Sequence, residues 1–425
     1  LYMINLQALY KEYEDDNHID SSLYAKYRVK SGLRNENGTG VKVGLTKISD
    51  VVGYEYSNGN KIHIDGRLIY RGYDIDDLVA MRKDTPFGFE LSAFLLIFGK
   101  LPTHRQLLDF HKELIKMADA HNVDIHYQIS NLLNAIQIEV LKLYGEDVDP
   151  DSDTLEERML KGMYILASMP LLMLSHYKQK RITHYPLPDK GIAENVLCII
   201  RQNTHYTQKE ASLLDILFML HADHGGGNNS TFTNVVMSST GTDIYSCISA
   251  ALGSLKGPRH GGANIKTSAM FDAIFDEIGT TTNQKVLRKI AKRLLDHDFF
   301  DNAGLIYGIG HAIYTKSDPR CQVIKKACKE LAQEKGELEK YNCLCAFEKA
   351  ALYQMRKQKH IETCANVDFY SGFAYSMLGI DKALYTPLFG MARTAGWVAH
   401  HLENRQNNRK LIRPANVYVG KRKED

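Results

Sequence analysis

The sequence predicts an all-α protein with one small β-hairpin near its N-terminal part. Apolar residues recur at helical spacing along most of the 425 residues, whereas only one short stretch has the composition of paired strands. Proline, which interrupts helices, occurs only 10 times. With 44% hydrophobic and 24% charged residues, the chain has the composition of a globular protein with a substantial core and two domains.

The strand signal lies just after a polar N-terminal region. Ile62-His63-Ile64 and Leu68-Ile69-Tyr70 flank Asp65-Gly66, a pair typical of type I′ turns. We therefore expect a hairpin that turns at Asp65-Gly66. The preceding residues, 1 to about 40, contain one candidate helix, which ends before Ser31-Gly32.

The rest of the chain is predicted to be helical. Thr103 is a candidate N-cap for a helix with an apolar face at 107–115. Residues 155–177 are apolar nearly all round, so we expect a long buried helix there, and 388–402 predict a final apolar helix. Residues 323–341 are charged and predict one exposed helix.

Composition argues against several classes of protein. A net charge of +3 is too small for the basic surface of a nucleic-acid-binding protein. The 7 cysteines are an odd number without a CxxC pair, so neither a disulfide framework nor a cysteine zinc site is expected. The first residues lack the features of a signal or transit peptide, and the longest apolar run, 163–174, is too short to span a membrane. We expect a cytoplasmic protein without a membrane or nucleic-acid partner.

Residues 304–320, GLIYGIGHAIYTKSDPR, hold the first candidate site. Gly308 and Gly310 would let backbone or ligand approach His311 closely. Asp318-Pro319-Arg320 ends the stretch in a rigid segment, because proline favours an extended residue before it. A histidine followed by a fixed arginine suits a small anionic substrate with a polarised oxygen. The stretch alone is equally compatible with a glycine-rich turn around a buried histidine.

Two further stretches add acid–base chemistry. Residues 257–264, GPRHGGAN, place His260 in a turn just before a helix that starts near residue 263. Residues 366–372, NVDFYSG, place the lone carboxylate of Asp368 between apolar residues. Together with His311 these side chains form a general acid–base set.

In order and approximate spacing, the three stretches resemble those of the citrate synthase family. Arg71-Gly72-Tyr73-Asp74 and Ile412-Arg413-Pro414 match the family as well, so the resemblance covers nearly the whole chain. It implies a two-domain helical fold. The large domain would consist of residues 1–261 and 380–425, and a small helical domain of residues 262–379 would lie between them.

The resemblance also implies an activity and two sets of site residues. The reaction is the condensation of acetyl-CoA with oxaloacetate, then thioester hydrolysis to citrate and CoA, which starts the tricarboxylic acid cycle and needs no cofactor. The catalytic residues would be His260, His311 and Asp368. The oxaloacetate-binding residues would be His224, Arg320, Arg393 and Arg413. In the family, the last of these arginines reaches in from the partner subunit of a homodimer.

The three catalytic residues have separate roles in this assignment. Asp368 is the general base that deprotonates the thioester methyl group. His260 donates a hydrogen bond to the enolate oxygen as an uncharged imidazole, which the positive end of the following helix would favour. His311 donates to the oxaloacetate carbonyl and makes it electrophilic.

The residues also have plainer interpretations. His221 and His224 lie about one helical turn apart, a spacing compatible with a metal site or with structural hydrogen bonds, but neither an HExxH pattern nor a nearby cysteine supports a metal. The glycines at 225–227 do not follow a strand in a βαβ unit, which argues against a phosphate-binding loop. Arg393 lies inside an apolar helix, where a buried guanidinium needs an anionic partner.

Contacts to the phosphates of CoA are assigned to Arg259, Lys316, Lys357 and Lys359, for which a solvated surface is the alternative. Several family members carry Arg-Lys where this chain has Thr315-Lys316, and the residue at Arg259 is often apolar in relatives. The acyl group stays open, because 2-methylcitrate synthases use propionyl-CoA and one methylene is worth only about 1–3 kcal/mol. The alternatives of another class are a non-catalytic helical interaction protein, against which the intact acid–base set argues, and a metal-dependent hydrolase.

Overall fold

The computed structural model describes Tyr13, residues 18–35 and 37–119, Ile125, and residues 129–407 and 410–420. The contacts within the chain divide it into two units. One consists of Leu1–Leu45 with Ile412–Asp425, and the other is Thr46–Leu411. The predicted domain boundaries at 261/262 and 379/380 stay a prediction.

The described part of the first unit contains one short α-helix, α1 (Ser22–Lys26), and a 3₁₀ turn at Ser31–Leu33. The remainder of the candidate N-terminal helix falls on residues outside the described part. The second unit is helical after a small sheet, which confirms the predicted fold class. Its described helices are α2 (Ile75–Met81), α3 (Gly88–Phe98), α4 (His104–Asp119), α5 (Leu132–Glu146), α6 (Leu155–Lys178), α7 (Ile192–Arg201), α8 (Gln208–His221), α9 (Asn229–Ser238), α10 (Ile244–Lys256), α11 (Ala263–Ile278), α12 (Gln284–Leu295), α13 (Pro319–Lys335), α14 (Leu338–Gln354), α15 (Asp368–Met377) and α16 (Tyr385–Asn407). Short 3₁₀ turns lie at Arg82–Asp84 and Lys382–Leu384, and a π-helical turn at Met355–Lys359.

The helices follow from their caps and their apolar faces. Thr103 accepts a hydrogen bond from the Gln106 N–H (3.2 Å) at the start of α4, as predicted. The helices α6 and α16 are buried nearly all round, which agrees with their sequences, and Trp397 of α16 is fully buried. Among the described residues, no helix is long and apolar enough to cross a membrane.

The sheet is antiparallel, in the order β1 (Ser49–Ser57), β2 (Asn60–Tyr70) and β3 (Tyr73–Asp74). A hairpin is present, but the predicted turn at Asp65-Gly66 is wrong, because both residues lie inside β2. The chain turns at Asn58-Gly59, whose φ values of 51° and 81° are those of a type I′ turn.

Gly66 has a different reason to be glycine. A Cβ atom there would lie 2.6 Å from the Tyr314 ring, so the strand packs directly on the chain that follows His311. Gly53 of β1 is similar, since its Cβ would lie 2.5 Å from the carbonyl oxygen of Ile313. The sheet therefore supports one wall of the site described below.

The single helix predicted over 323–341 is also wrong. Two helices, α13 and α14, replace it, and Gly336 separates them at a φ of 72°, a left-handed conformation that glycine adopts readily. Pro319 is the first residue of α13, where its missing N–H costs nothing, and Asp318 before it is extended, as predicted.

Candidate active site

A cavity of about 140 Å³ lies within Thr46–Leu411 and brings together six of the predicted site residues. These residues come from separate segments of the chain: His224, His260, His311, Arg320, Asp368 and Arg393. The cavity is also lined by residues that the sequence did not single out: Asn228, Gly261, Asn264, Asn366, Val367, Tyr385, Thr386 and Phe389. Four of these residues lie within the stretches around His260 and Asp368, whereas Asn228, Tyr385, Thr386 and Phe389 are revealed only by the folded chain.

The loop that carries His311 is tied to the start of α15. Gly308 and Gly310 have φ values of 80° and 104°, which side-chain-bearing residues rarely adopt. The Asn366 N–H donates to the Gly308 carbonyl (2.9 Å), and its side-chain amide donates to the Gly310 carbonyl (2.8 Å). The two glycines thus let the His311 loop lie beside Asp368.

The hydrogen bonds of His311 define its tautomer. The backbone N–H groups of Ile313 and Tyr314 both donate to Nδ1, each at 3.1 Å. Because Nδ1 accepts, Nε2 carries the proton of the neutral ring. This Nε2 lies 3.5 Å from Nη2 of Arg320. Two donors side by side suit one oxygen atom of a carbonyl or carboxylate between them.

Arg320 is held by an acid two residues before it. Its Nε and Nη2 donate to the two carboxylate oxygens of Asp318 at 3.0 and 2.7 Å, and both side chains are buried. Burial opposes the charge of Arg320, but the Asp318 carboxylate outweighs it and raises the pKa of the arginine above its usual value. Asp318 was not among the predicted site residues, although it lies in the Asp-Pro-Arg motif.

Within the described part of the chain, no acid pairs with Arg393 in this way. Its Nε donates to the His221 carbonyl (2.6 Å), while Nη1 and Nη2 are buried and have no hydrogen-bond partner among the described residues. Burial lowers the pKa of Arg393 to about 10, so it is still charged at neutral pH. Buried donors without acceptors cost about 1–3 kcal/mol each, which favours an anionic ligand at this end of the cavity.

His224 lies beside these arginines. Burial, with the charge of Arg320, lowers its pKa well below the usual value, so the imidazole is neutral. Its Nε2 is buried and has no hydrogen-bond partner in the described part of the chain. The ring packs edge-on against His311, with 5.1 Å between the ring centres. A polar ligand atom could complete its hydrogen bonding.

The position of His224 is fixed by Asp223, a second acid that the sequence did not single out. The Tyr70 hydroxyl donates to the Asp223 carbonyl (2.9 Å) and accepts from its N–H (3.0 Å). The carboxylate contacts Ser49 and His400. Despite burial, His400 and its other partners hold the pKa of Asp223 below its usual range. Since Ser49 and Tyr70 belong to β1 and β2, the sheet anchors this histidine.

His260 lies between two helix N-termini, just before α11 and against the first turn of α9. Its Nε2 accepts the Ser230 N–H (3.4 Å) and lies 3.1 Å from the Ser230 hydroxyl. We therefore place the proton of the ring on Nδ1. Burial, and then the charge of Arg393, lower the pKa of His260 to about 4. The imidazole is neutral near pH 7 and can donate a hydrogen bond.

Asp368 is the first residue of α15 and the only carboxylate among the described residues that line the cavity. Burial raises its pKa to about 6, although the Arg320 charge acts in the opposite direction. Asp368 is therefore largely ionised at neutral pH but is a stronger base than an exposed aspartate. These properties suit a general base.

The other predicted residues are placed elsewhere. Arg259, Lys316, Lys357 and Lys359 are exposed and do not line the cavity. Arg413 is exposed and belongs to the unit that contains Ile412–Asp425. Within the described part of the chain, no group of three or more His, Cys, Asp or Glu side chains could hold a metal ion.

The fold and the cavity are those of a helical protein in which histidines, one carboxylate and two buried arginines line the same space. The family model described as "Citrate synthase, C-terminal domain" matches residues 35–415. The chain therefore belongs to the citrate synthase family, whose members are condensing enzymes of the acyltransferase type. This match confirms the family that the sequence motifs indicated.

Relatives and solved structures agree with the family. A citrate synthase of Haloferax volcanii is 32% identical over 371 residues, which cover 85% of this chain and 91% of that protein. A 2-methylcitrate synthase of Shewanella oneidensis is 30% identical over 374 residues, covering 83% and 88%. The crystal structure of citrate synthase from Pyrobaculum aerophilum is similar with a TM-score of 0.72 at 26% identity, covering 90% of this chain and 91% of that one. Since both kinds of synthase occur among the relatives, family membership does not define the acyl group.

Proposed function

We propose that this protein is a citrate synthase that condenses acetyl-CoA with oxaloacetate and then hydrolyses the thioester to citrate and CoA. One observation carries the proposal. Asp368, whose pKa burial raises to about 6, lines the same cavity as two histidine rings that can each donate a hydrogen bond. A carbon acid and a carbonyl must be activated together in this reaction, and these three groups fit that need.

Oxaloacetate would bind at the arginine end of the cavity. Its carboxylates would accept from Arg320 and from the Nη groups of Arg393, which have no partner among the described residues, and His224 Nε2 would contact a further oxygen. The ketone oxygen would lie between Nε2 of His311 and Nη2 of Arg320, two donors 3.5 Å apart. Both donors polarise the carbonyl and stabilise the alkoxide that forms at this oxygen.

The acyl thioester would lie between Asp368 and His260. Asp368 takes a proton from the methyl carbon, and the electron pair moves to the thioester oxygen, which accepts from Nδ1 of His260. A neutral imidazole suits this role, because the pKa of His260 is lowered to about 4. The enolate carbon attacks the ketone carbon, and the new alkoxide takes the Nε2 proton of His311, which solvent replaces before the next turnover. Water then adds to the thioester carbonyl and the C–S bond breaks. The sulfur leaves as a thiol with one hydrogen of that water, and the new carboxylic acid loses its proton to solvent.

A second candidate, 2-methylcitrate synthase, is favoured by the relatives that carry this name. The test is CoA release with acetyl-CoA or propionyl-CoA in the presence of oxaloacetate. We expect kcat/KM to favour acetyl-CoA by roughly 10–200-fold, the range for one methylene. A preference for propionyl-CoA would mean the 2-methylcitrate reaction. Release with neither thioester would contradict the proposed function itself.

We extend the proposal to partners and setting. The enzyme would act as a homodimer in the cytoplasm, at the start of the tricarboxylic acid cycle, without a metal or other cofactor. The partner's copy of Arg413 would complete the oxaloacetate site. The exposed Arg259, Lys316, Lys357 and Lys359 would contact the phosphates of CoA. The seven free thiols are compatible with a reducing compartment, and activity that survives a chelator would agree with the absence of a metal.

A further inference from the structure

A second cavity, of about 520 Å³, meets the active-site cavity at Asp368 and Tyr385, which line both. Its outer end is lined by exposed charged residues: Asp272, Asp276, Lys340 and Lys382. Its inner end is lined by buried residues: Ser268, Phe271, Phe369 and Gly372. The second cavity thus leads from the protein surface to the carboxylate of the proposed general base.

The wall between the two cavities is polar. Asn264 lines the active-site cavity, and Ser268, one turn later on α11, lines the second cavity. Asn264 Oδ1 and Ser268 Oγ are buried and lack hydrogen-bond partners among the described residues. Both lie against Gly372, where a Cβ atom would be 3.3 Å from the former and well inside van der Waals contact with the latter. Gly372 follows Asp368 by one turn, on the same face of α15.

Unpartnered polar atoms beside a roomy cavity are usually satisfied by water. Ser268 lines this cavity and is 9% exposed, but its hydroxyl oxygen is enclosed against Gly372, so a rotation about its Cα–Cβ bond would bring that oxygen to a water in the cavity. A water at Ser268 would connect the buried end, next to Asp368, with the charged outer end. The absence of a side chain at Gly372 keeps that passage open.

The proposed reaction requires such a connection. In each turnover, a C–H bond of the acyl group breaks and its proton forms an O–H bond on Asp368. The carboxylate must be free again before the next turnover, so this O–H bond must break and the proton must pass to solvent. The second cavity reaches Asp368 from the side, without passing through the space that the substrates would occupy.

We propose that Asp368 exchanges its proton with solvent through the second cavity, along a chain of waters that Ser268 helps to hold. The inference rests on the proposed function, in which Asp368 is the general base. The proton passes from the carboxyl group to water and then to bulk solvent, so no other reactant is needed. Ser268 is a relay residue, because it touches neither the substrate nor the bond that breaks.

The test is exchange of the methyl hydrogens of acetyl-CoA in D2O. Malate replaces oxaloacetate, because its alcohol carbon cannot be attacked and the acyl group therefore stays uncondensed in the active-site cavity. Ser268→Ala removes the hydroxyl, and Ser376→Trp plugs the outer end, since Ser376 is exposed and lines the cavity. Ser376→Ala is the matched control. Mass spectrometry measures deuterium uptake, and calorimetry measures the affinity for malate.

We expect deuterium uptake to fall about tenfold in Ser268→Ala and Ser376→Trp, with malate affinity and Ser376→Ala unchanged. This is less than the ~10²–10⁴-fold effect of a general base, because water partly replaces a hydroxyl. Uptake at the parental rate in both variants would mean that the proton leaves through the active-site cavity. A parent that condenses acetyl-CoA but shows no exchange would also overturn the proposal, whereas a parent that neither condenses nor exchanges would overturn the proposed function instead. The two variants lie at opposite ends of the cavity, so a folding defect in one leaves the other informative.

Discussion

Arg320 and Arg393 line the same cavity, but the protein surrounds their charges in opposite ways. Arg320 is bound through two nitrogens by Asp318, and its pKa is raised above the usual value. Arg393 donates to one backbone carbonyl, its Nη groups lack partners among the described residues, and its pKa is lowered to about 10. The charge of Arg320 is thus balanced by an acid of the protein itself, whereas the Nη groups of Arg393 would gain hydrogen-bond partners from a bound ligand.

The difference has a structural cause. Arg320 lies in the first turn of α13, where Asp318 caps the helix and pairs with the arginine two residues later. Arg393 lies in the middle of α16, buried on every side, where the helix backbone leaves no acceptor for its outer nitrogens. The ion pair with Asp318 fixes the direction of the Arg320 guanidinium. The unsatisfied donors of Arg393 favour the binding of an anion. A site for a dianion can use both.

The largest expected effect is on the stability of the Arg320 region. Arg320→Ala would leave the buried carboxylate of Asp318 without its cation, and breaking a buried pair costs about 3–5 kcal/mol. We expect the free energy of unfolding, measured by urea denaturation, to fall by that amount. The double variant Asp318→Asn with Arg320→Gln removes both charges and keeps a capping residue, so it should recover most of the loss. Equal stability of both variants would argue against a structural ion pair.

For Arg393 we expect a small effect on stability and a large effect on ligand binding. Since Arg393→Gln leaves no acid unpaired, this variant without ligand should lose less free energy of unfolding than the Arg320→Ala variant. Binding of oxaloacetate should weaken by about 2–5 kcal/mol, because a buried charge contact is lost. The measurement is the rise in Tm on addition of oxaloacetate, which should nearly vanish. Arg158→Gln is the control, since Arg158 is also buried but pairs with Asp153 away from the cavity, and it should keep the rise.

The ionisation of Asp368 gives a smaller, pH-dependent effect. A general base must be ionised, and burial raises the pKa of Asp368 to about 6. We therefore expect kcat/KM to be half-maximal near pH 6 and to level off about one pH unit above it. Well below pH 6 it should fall about tenfold per pH unit, equivalent to about 1.4 kcal/mol per unit. His260, with a pKa of about 4, stays neutral over most of this range, so its protonation should not cause a second fall in kcat/KM there. A midpoint near pH 4 would mean that Asp368 is not held in this environment.

The candidate residues were easier to find in the sequence than the side chains that hold them. His260, His311 and Asp368 stood out because glycines and apolar residues isolate them in the chain. The structure brings them to one cavity, while their catalytic roles stay a prediction. Asp318 and Asp223 were missed, because their role depends on partners that the sequence does not show. Asp318 pairs with Arg320, and Asp223 contacts His400, only in the folded chain.

The fold shows the same limit. The helices were predictable from apolar spacing, but the hairpin turn was misplaced because a glycine can mark either a turn or a close approach. Asn58-Gly59 turns the chain, while Gly66 makes room for the Tyr314 ring. Only the tertiary contact distinguishes the two uses, and the sequence alone does not contain it.

A third arginine sharpens the comparison. We predict from the family resemblance that Arg413 acts in the neighbour's site, so that its charge would be supplied only on assembly, unlike those of Arg320 and Arg393. The variants Asp368→Ala and Arg413→Ala should each be inactive and should complement each other when refolded together. Random mixing makes about half of the dimers hybrids, and each hybrid has one site with both groups intact, so roughly a quarter of the parental activity should return in a two-fold dimer. If mass spectrometry finds hybrids but no activity returns, Arg413 does not act across an interface and each chain provides its own complete site. Mixing Asp368→Ala with Arg393→Ala is the control, because both residues line one cavity of one chain. Every hybrid should then have one site without the base and one site without the arginine, so no activity should return.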